Sequence, residues 1–239
     1  MEVTRETLPL FIPEIHDLIR RSEFLALDLE FSGIYGKNSN AVHLEERFKG
    51  LSEVVRSHAV VSLGLAFFVR DDPIEQDGNG VESGADSQKD GIRKYSVHTF
   101  NVPLMNQRNF TVNPSSLAFL AANGFDFNRM AMLGVPYWPG VEAKRGNLTE
   151  IASKNDQNNK ALRGIFRAIS ETKVPLVLHN GLIDLMFVYH SFFTALPKDL
   201  ATFVADVGDM FGGGVTDTKY FSDYVTREKR SYLLYLFSK

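Results

Sequence analysis

Hydrophobic and polar positions along the first half of the chain predict three strands with helices before and between them. Large apolar residues run from Phe24 to Phe31 and again over 59–70 and 94–103, so each segment is expected to form a strand. The first of these contains so many large apolar residues that we expect it to be buried on both faces. Helical spacing predicts helices over 4–21 and 43–57.

The second half of the chain alternates helices with short strands. A helix is expected to open at Pro114-Ser115-Ser116, where a serine can cap the free amides. Further on, the pattern predicts helices over 156–172, 182–193, 198–211 and 221–237, with strands over 175–179 and 215–219. Hairpin-linked strands followed by β-α alternation favour an α/β fold, a mixed sheet flanked by helices. We expect residues 1–239 to form a single domain.

The charge of the chain is concentrated in one polar segment. Residues 71–94 hold seven acids and three bases, a net charge of −4, whereas the whole chain carries −3. The remainder is therefore near +1, and the acidity argues only weakly against a nucleic-acid partner. Because this segment is rich in Gly, Asp and Ser and has few large apolar residues, we expect a flexible acidic loop between two strands.

The composition also excludes some classes of site. The chain has no cysteine, which rules out disulfides and thiolate metal ligands and fits an intracellular protein. Apolar runs all fall short of the roughly 20 residues that a membrane helix needs, so no membrane contact is expected.

Two carboxylates stand out in the first predicted strand. Asp28 and Glu30 are two residues apart, so their side chains project to the same face. In an otherwise apolar strand they repel each other and lose hydration, and a divalent cation such as Mg²⁺ would remove that cost. The alternative is a strand end that reaches solvent, where such acids need no ligand.

A third acid follows a later strand. In the segment His179-Asn180-Gly181-Leu182-Ile183-Asp184, Asn180 and Gly181 form a turn, and we expect Asn180 to cap the next helix. Asp184 then lies in the first turn, where the helix dipole helps to keep it ionised. The alternative is that Asp184 only stabilises its helix. After a Gly-Gly-Gly turn, Asp217 is expected to be a solvated strand terminus, whereas Lys219 could meet a phosphate.

Several segments together resemble the DEDD deadenylase family, which includes poly(A)-specific ribonuclease. They are FLALDLEFSGI (24–34), VVSLGLAFF (60–68), NGFDFNRMAMLGVPY (123–137), PLVLHNGLIDLMFVYHSFFTALP (175–197) and TDTKY (216–220). Within that family the resemblance is strongest to a branch of nuclear 3′ exonucleases that trim small nuclear RNA tails. It implies a ribonuclease-H-like fold, a nuclear location and 3′→5′ hydrolysis of oligo(A)-tailed RNA.

The resemblance also implies roles for individual residues. Family members hold two Mg²⁺ ions with four acids, and Asp28, Glu30 and Asp184 match the first three. Phe31 and Ile34 match an apolar wall that meets the terminal base, and Asn180 and Lys219 match contacts to the RNA backbone or sugar. Together these positions form the substrate site expected for an RNA 3′ end.

One block of the family pattern is missing from these residues. The fourth acid and the general-base histidine belong to a His-x-Ala-Gly-x-Asp block, and residues 1–239 contain none. We therefore expect an incomplete domain, as a fragment, a short form or a relative that has lost turnover. The alternative function is a non-catalytic RNA-binding or scaffold protein that retains the fold.

Overall fold

The computed structural model describes residues 1–71, 93–140 and 150–238 as a mixed sheet with helices packed against it. The strands are β1 (Ser22–Phe31), β2 (Val60–Arg70), β3 (Tyr95–Asn106), β4 (Val135–Tyr137), β5 (Leu176–Leu178) and β6 (Val215–Asp217). The helices are α1 (Leu8–Arg21), α2 (Leu44–Ser57), α3 (Pro114–Ala122), α4 (Phe127–Leu133), α5 (Glu150–Thr172), α6 (Leu182–Val188), α7 (Leu200–Met210), α8 (Thr218–Tyr220) and α9 (Leu233–Phe237). Two π-helical turns, Tyr189–Phe193 and Phe221–Val225, follow α6 and α8.

The sheet order is β4-β3-β2-β1-β5-β6. β1, β2 and β3 pair antiparallel, whereas β4, β5 and β6 each join parallel to a neighbour. This is the mixed sheet that the order of predicted elements indicated. The Asp71 amide donates to the Lys94 carbonyl at 3.0 Å, next to the end of the β2–β3 ladder. The predicted flexible loop 71–94 itself lies almost entirely outside the described residues.

The expectation that β1 is buried on both faces was wrong. Leu25, Leu27 and Leu29 are at most 5% exposed and enter the main core, to which α1 and α5 also contribute. Asp28, between them in sequence, is exposed on the opposite face. The strand therefore alternates in burial, as expected when one face of a sheet is packed and the other reaches solvent.

The structure differs from the sequence prediction at two helices, in the cap of α3 and in the continuity of the last helix. Asn113, not a serine, caps α3, since its side-chain oxygen accepts from the amides of Ser115 and Ser116. The predicted helix over 221–237 is wrong: it breaks into the second π-helical turn and α9. Between these pieces Arg227 takes a left-handed conformation with φ of 51°, which an α-helix cannot contain.

Among the described residues, the helices are too short or too polar to cross a bilayer.

Candidate functional site

The two carboxylates of β1 lie on the face of the sheet opposite the main core. Across the sheet, Asp28 pairs with Gly64 of β2, which pairs in turn with Asn101 of β3. A polar cavity of about 580 Å³ opens there, lined by Asp28 and Glu30 together with residues of α3 and α4. As the Asp-x-Glu spacing predicted, the side chains of Asp28 and Glu30 lie on the same face of β1.

Asp184 approaches the same strand from the first turn of α6. It is 8% exposed, and its Oδ1 accepts a hydrogen bond from the Leu29 amide at 3.2 Å. The β5 ladder reaches only as far as the pair between Ala26 and Val177 before β5 ends. Beyond that point Asp184 satisfies a backbone donor of β1 that no strand residue serves.

The three carboxylates interact electrostatically. Burial, together with the charges of Asp28 and Glu30, raises the pKa of Asp184 to about 7, although the Leu29 amide opposes the rise. Although Asp28 is exposed as a residue, partial desolvation of its carboxyl group raises its pKa, against the opposing effects of the Leu29 amide and the nearby His179. For Glu30, burial and then the Asp28 charge raise the pKa. The structure brings the three predicted acids into one electrostatic unit.

The start of α6 favours the ionised form of Asp184, since its own backbone amide lowers the pKa, but burial has the larger effect. α6 has seven residues, and the Asp184 side chain is removed from water by the strand that it contacts. Desolvation outweighs a dipole contribution of about 0.3–1 kcal/mol.

The donor atoms suit a hard divalent cation, but the side chains do not enclose one as they stand. Carboxylate oxygens are the ligands that Mg²⁺ and Mn²⁺ prefer, and positive charge would relieve the repulsion within the unit. Nevertheless, no cluster of three or more His, Asp or Glu side chains within residues 1–71, 93–140 and 150–238 is close enough to share an ion. Binding would require these carboxylates to come closer together, and their role as ligands stays a prediction.

The turn between β5 and α6 is fixed by Asp217, which was expected to be only a solvated strand terminus. Its carboxylate accepts from the amides of Asn180 and Gly181 at 2.9 Å each, and from those of Lys219 and Tyr220. Burial alone would raise the pKa of Asp217, but these bonds lower it below the usual value. Asp217 thus joins the turn that precedes α6 to the turn that begins α8.

Asn180 is not the cap of α6, which corrects the prediction. It adopts a left-handed conformation with φ of 59°, and Gly181 occupies the cap position without a side-chain bond. A side chain at Gly181 would place its Cβ 2.5 Å from the Leu178 Cβ, so glycine is required there. Asn180 therefore serves as a turn residue, and its predicted RNA contact stays a prediction.

His179 lies beside the acids and is held through Thr218. The Thr218 hydroxyl donates to the Leu178 carbonyl at 3.0 Å and lies 2.9 Å from His179 Nδ1. Because that hydroxyl proton is already used, Nδ1 acts as the donor, and neutral His179 keeps its lone pair on Nε2. The sequence placed His179 at a strand end, but its proximity to Asp28 required the sheet register.

Phe31 and Ile34 line a separate cavity of about 300 Å³ next to Glu30. The Phe31 ring is also stacked on the Phe187 ring, with the two ring centroids 4.4 Å apart. The helix α3 provides Phe119, which is 64% exposed, to the same cavity. Reasoning from sequence did not find Phe119, since an aromatic residue on a short helix carries no signal of the cavity it faces.

The loop after β1 is locked in place. Ser32 donates from Oγ to the Thr111 carbonyl at 2.7 Å, and its Oγ accepts from the Ala59 amide at 2.9 Å. At Gly33 a Cβ would lie 2.5 Å from the His58 ring and 2.9 Å from the Asn113 Cβ, so any other residue would require these neighbours to shift. These contacts fix the direction in which the loop leaves Phe31.

Lys219 lies near the turn that Asp217 holds, but its ammonium group is already engaged. Nζ donates to Ser231 Oγ at 2.8 Å and forms an ion pair with Asp223 at 3.3 Å. The side chain is 37% exposed. A phosphate contact would have to compete with these partners, and it stays a prediction.

Fold and geometry together define an α/β protein with an acidic cleft on one face of a mixed sheet, the arrangement expected of a nuclease. The chain belongs to the CAF1 family of ribonucleases, whose family model matches residues 3–161 and 142–239. Membership of this deadenylase-type family confirms the resemblance at the level of the family.

Similar proteins agree with that assignment. The chain is 26% identical over 196 residues to the poly(A)-specific ribonuclease PARN of Xenopus laevis, covering 77% of this chain and 29% of that protein. It is 25% identical over 187 residues to human PARN, covering 74% of this chain and 27% of that protein. The matched region is thus less than a third of the length of these relatives.

Solved structures confirm the fold. The Mg²⁺- and Mn²⁺-bound form of Schizosaccharomyces pombe Pop2p has a TM-score of 0.63 at 16% identity, covering 96% of this chain and 77% of that one. The RNase domain of yeast Pop2 has a TM-score of 0.61 at 13% identity, covering 100% and 74%. The expected α/β architecture, a mixed sheet flanked by helices, is therefore confirmed.

Proposed function

We propose that this chain forms the nuclease domain of a 3′→5′ exoribonuclease that acts on oligo(A)-tailed RNA with Mg²⁺ as cofactor. The observation that carries the proposal is the buried Asp184, held over β1 by the Leu29 amide and coupled to Asp28 and Glu30. Three acids with raised pKa values are costly in a protein without a positive partner. Family membership and the metal-bound form of Pop2p support the same conclusion.

Each part of the site has a role in this mechanism. Asp28, Glu30 and Asp184 would hold two divalent ions, which supply positive charge for a developing oxyanion and lower the pKa of a bound water. Phe31 and Ile34 would position the terminal base beside Glu30, with stacking worth about 1–3 kcal/mol. Asn180 and Lys219 would contact the sugar or phosphate, once Lys219 leaves Asp223.

The finer assignments are also proposals. Resemblance to the Target-of-EGR branch of nuclear exonucleases supports small nuclear RNA tails as substrates and the nucleus as location. A polypeptide of these 239 residues contributes three of the family's four acids, so we propose that it binds metal weakly and has little or no turnover. We also propose that its residues form one exonuclease domain.

Metal binding is the first test. Mn²⁺ titrated into the protein in a calorimeter should give a binding isotherm that Asp28→Asn and Asp184→Asn each abolish. Glu23→Gln is the matched control, since Glu23 is an acid at the other end of β1 that pairs with Arg93 at the surface. Equal Mn²⁺ binding by wild type and both site variants would contradict the proposed site.

Turnover is the second test. A 5′-labelled oligo(A) incubated with Mg²⁺ or Mn²⁺ should shorten from its 3′ end little or not at all, and Asp28→Asn should stop any shortening that occurs. Brisk stepwise degradation by wild type would refute the proposed impairment while leaving the nuclease assignment intact.

The acids that do not yet enclose an ion favour a second candidate, a non-catalytic RNA-binding or scaffold protein. Oligo(A) binding that persists in EDTA and in Asp28→Ala, with no shortening of the RNA, would select this candidate.

A further inference from the structure

The residues that follow β6 form an unusual surface, here called the C-terminal arm (residues 218–238). It consists of α8, the second π-helical turn, a connecting stretch and α9. Six of its 21 residues are aromatic, whereas 12% of the whole chain is aromatic. Burial of these rings would account for such a composition, so their exposure is the next question.

Most rings of the arm are exposed. Tyr220, Tyr224 and Tyr232 are 62%, 67% and 49% exposed, and Phe237 is 89% exposed. The rings of Tyr220 and Tyr224 lie 4.9 Å apart in a tilted pair. Exposed aromatic rings next to one another are costly in water, and grouped patches of this kind mark binding surfaces.

Positive charge is interleaved with the rings. The arm contains Lys219, Arg227, Lys229 and Arg230 against Asp223 and Glu228, so its net charge is 4 − 2 = +2, in a chain of net charge −3. Arg227, Lys229 and Arg230 are exposed, and Arg230 donates to the Tyr232 hydroxyl at 3.2 Å.

The arm is tied together and adjoins the acid-bearing face. Lys219 Nζ bonds Ser231 Oγ, which connects the residues near Tyr220 to those near Tyr232. Leu233 of α9 lines a cavity of about 410 Å³ together with Asp28 and His179. The arm therefore begins at the edge of the face on which the proposed reaction takes place.

We propose that the C-terminal arm binds single-stranded RNA upstream of the 3′ end, stacking bases on its tyrosines and pairing phosphates with its arginines and Lys229. The inference deepens the proposed function and rests on it. Alternating rings and cations complement single-stranded RNA, because the rings can stack on bases and the cations can pair with phosphates. The arm also exposes Phe221, Val225, Leu233 and Leu234, so a protein partner or a second copy is the alternative that the outcomes below distinguish from RNA.

The proposal predicts that affinity depends on RNA length. Fluorescence anisotropy with 5′-labelled oligo(A) of 4 and 14 nucleotides, in Ca²⁺ to prevent hydrolysis, compares the 3′-end site alone with that site plus the arm. Wild type should bind the longer RNA at least about tenfold more tightly. The double variant Tyr220→Ser with Tyr224→Ser should lose about tenfold in affinity for the longer RNA and bind the short one as before.

Charge and control variants separate the contributions. Arg227→Ser with Arg230→Ser should weaken binding of the longer RNA and lower the slope of log affinity against log salt by about 0.7 for each phosphate that is no longer neutralised. The matched control is Arg20→Ser with Arg21→Ser, two exposed arginines in the last turn of α1. This control should stay within about twofold of wild type.

The outcomes distinguish the inference from the proposed function. Binding of neither RNA by wild type would overturn both. Equal affinity of wild type for both lengths, or unchanged binding by the arm variants, would overturn the arm alone. Light scattering that shows a dimer lost in the tyrosine variant, with RNA affinity unchanged, would assign the arm to self-association instead.

Discussion

The two faces of β1 differ in what they do, although the residues alternate along one strand. Leu25, Leu27 and Leu29 enter a dry core, whereas Asp28 faces a polar cavity on the other side. Packing determines the first face, and the second carries charges that reduce stability until a ligand compensates them. Between Leu25 and Glu30, odd-numbered residues of β1 therefore stabilise the core, whereas even-numbered ones face the candidate site.

The largest effect is expected on the packed face. Leu27→Ala should lower the free energy of unfolding by about 2–5 kcal/mol, because it removes buried methyl groups and leaves a cavity in the core. Urea denaturation measures the change. A loss below about 1 kcal/mol would show that the core is not closed around Leu27.

On the open face, removal of a charge should increase stability. Because folding raises the pKa of Asp184 to about 7, the folded protein holds its proton more tightly than the unfolded chain between about pH 4 and pH 7. The free energy of unfolding therefore falls as the pH rises through this window. Asp184→Asn should stabilise the metal-free protein above about pH 8, by at most about 4 kcal/mol, and lose this advantage near pH 4.

Thermal melts at about pH 4, 6 and 8 in EDTA measure this difference. Added Mn²⁺ should narrow the difference at the highest pH, since a ligand that binds the folded wild type raises its melting temperature. If Asp184→Asn were less stable than wild type at about pH 8 in EDTA, the predicted direction of the effect would be wrong.

The turn that supports the open face should be less sensitive. Asp217→Ala leaves the amides of Asn180 and Gly181 without their acceptor, at a cost of about 1–3 kcal/mol in unfolding free energy. Amide hydrogen exchange at these two positions should accelerate more than exchange in α1. Unchanged exchange at both amides would show that another acceptor replaces Asp217.

The smallest effect on stability is expected at Ala26, the residue next to Leu27. Ala26→Ser, on the open face beside Leu27, should change the free energy of unfolding by less than about 0.5 kcal/mol. The same urea titration as for Leu27→Ala gives the comparison. A loss comparable to that of Leu27→Ala would mean that the open face is packed in solution.

Sequence reasoning predicted the elements whose signal is local. The strands that contain Asp28 and the residues after Ala59, and the helix that carries Asp184, were placed within a few residues. Strand parity alone put Asp28 and Glu30 on one face. The meeting of Asp184 with β1 was implied by family resemblance, because no local pattern joins residues 155 positions apart.

The misses depend on contacts distant in sequence. The burial of β1 was misjudged because the helices that cover a sheet face cannot be read from the strand itself. The helix α4 and the strand β4 were not predicted, since a three-residue strand containing Pro136 has no period to detect. Asn180 was assigned as a cap because the amide acceptor that holds its turn, Asp217, lies 37 residues away.

The position of Asp184 depends on how short β5 is. With three residues, β5 stops before the level of Leu29, whose amide is then free to receive a carboxylate. Were β5 extended until a carbonyl reached that amide, the ladder would continue and the acid would be displaced from the cleft. The length of β5 therefore determines where Asp184 meets β1, and insertions between the buried residues Leu178 and Gly181 should be tolerated poorly.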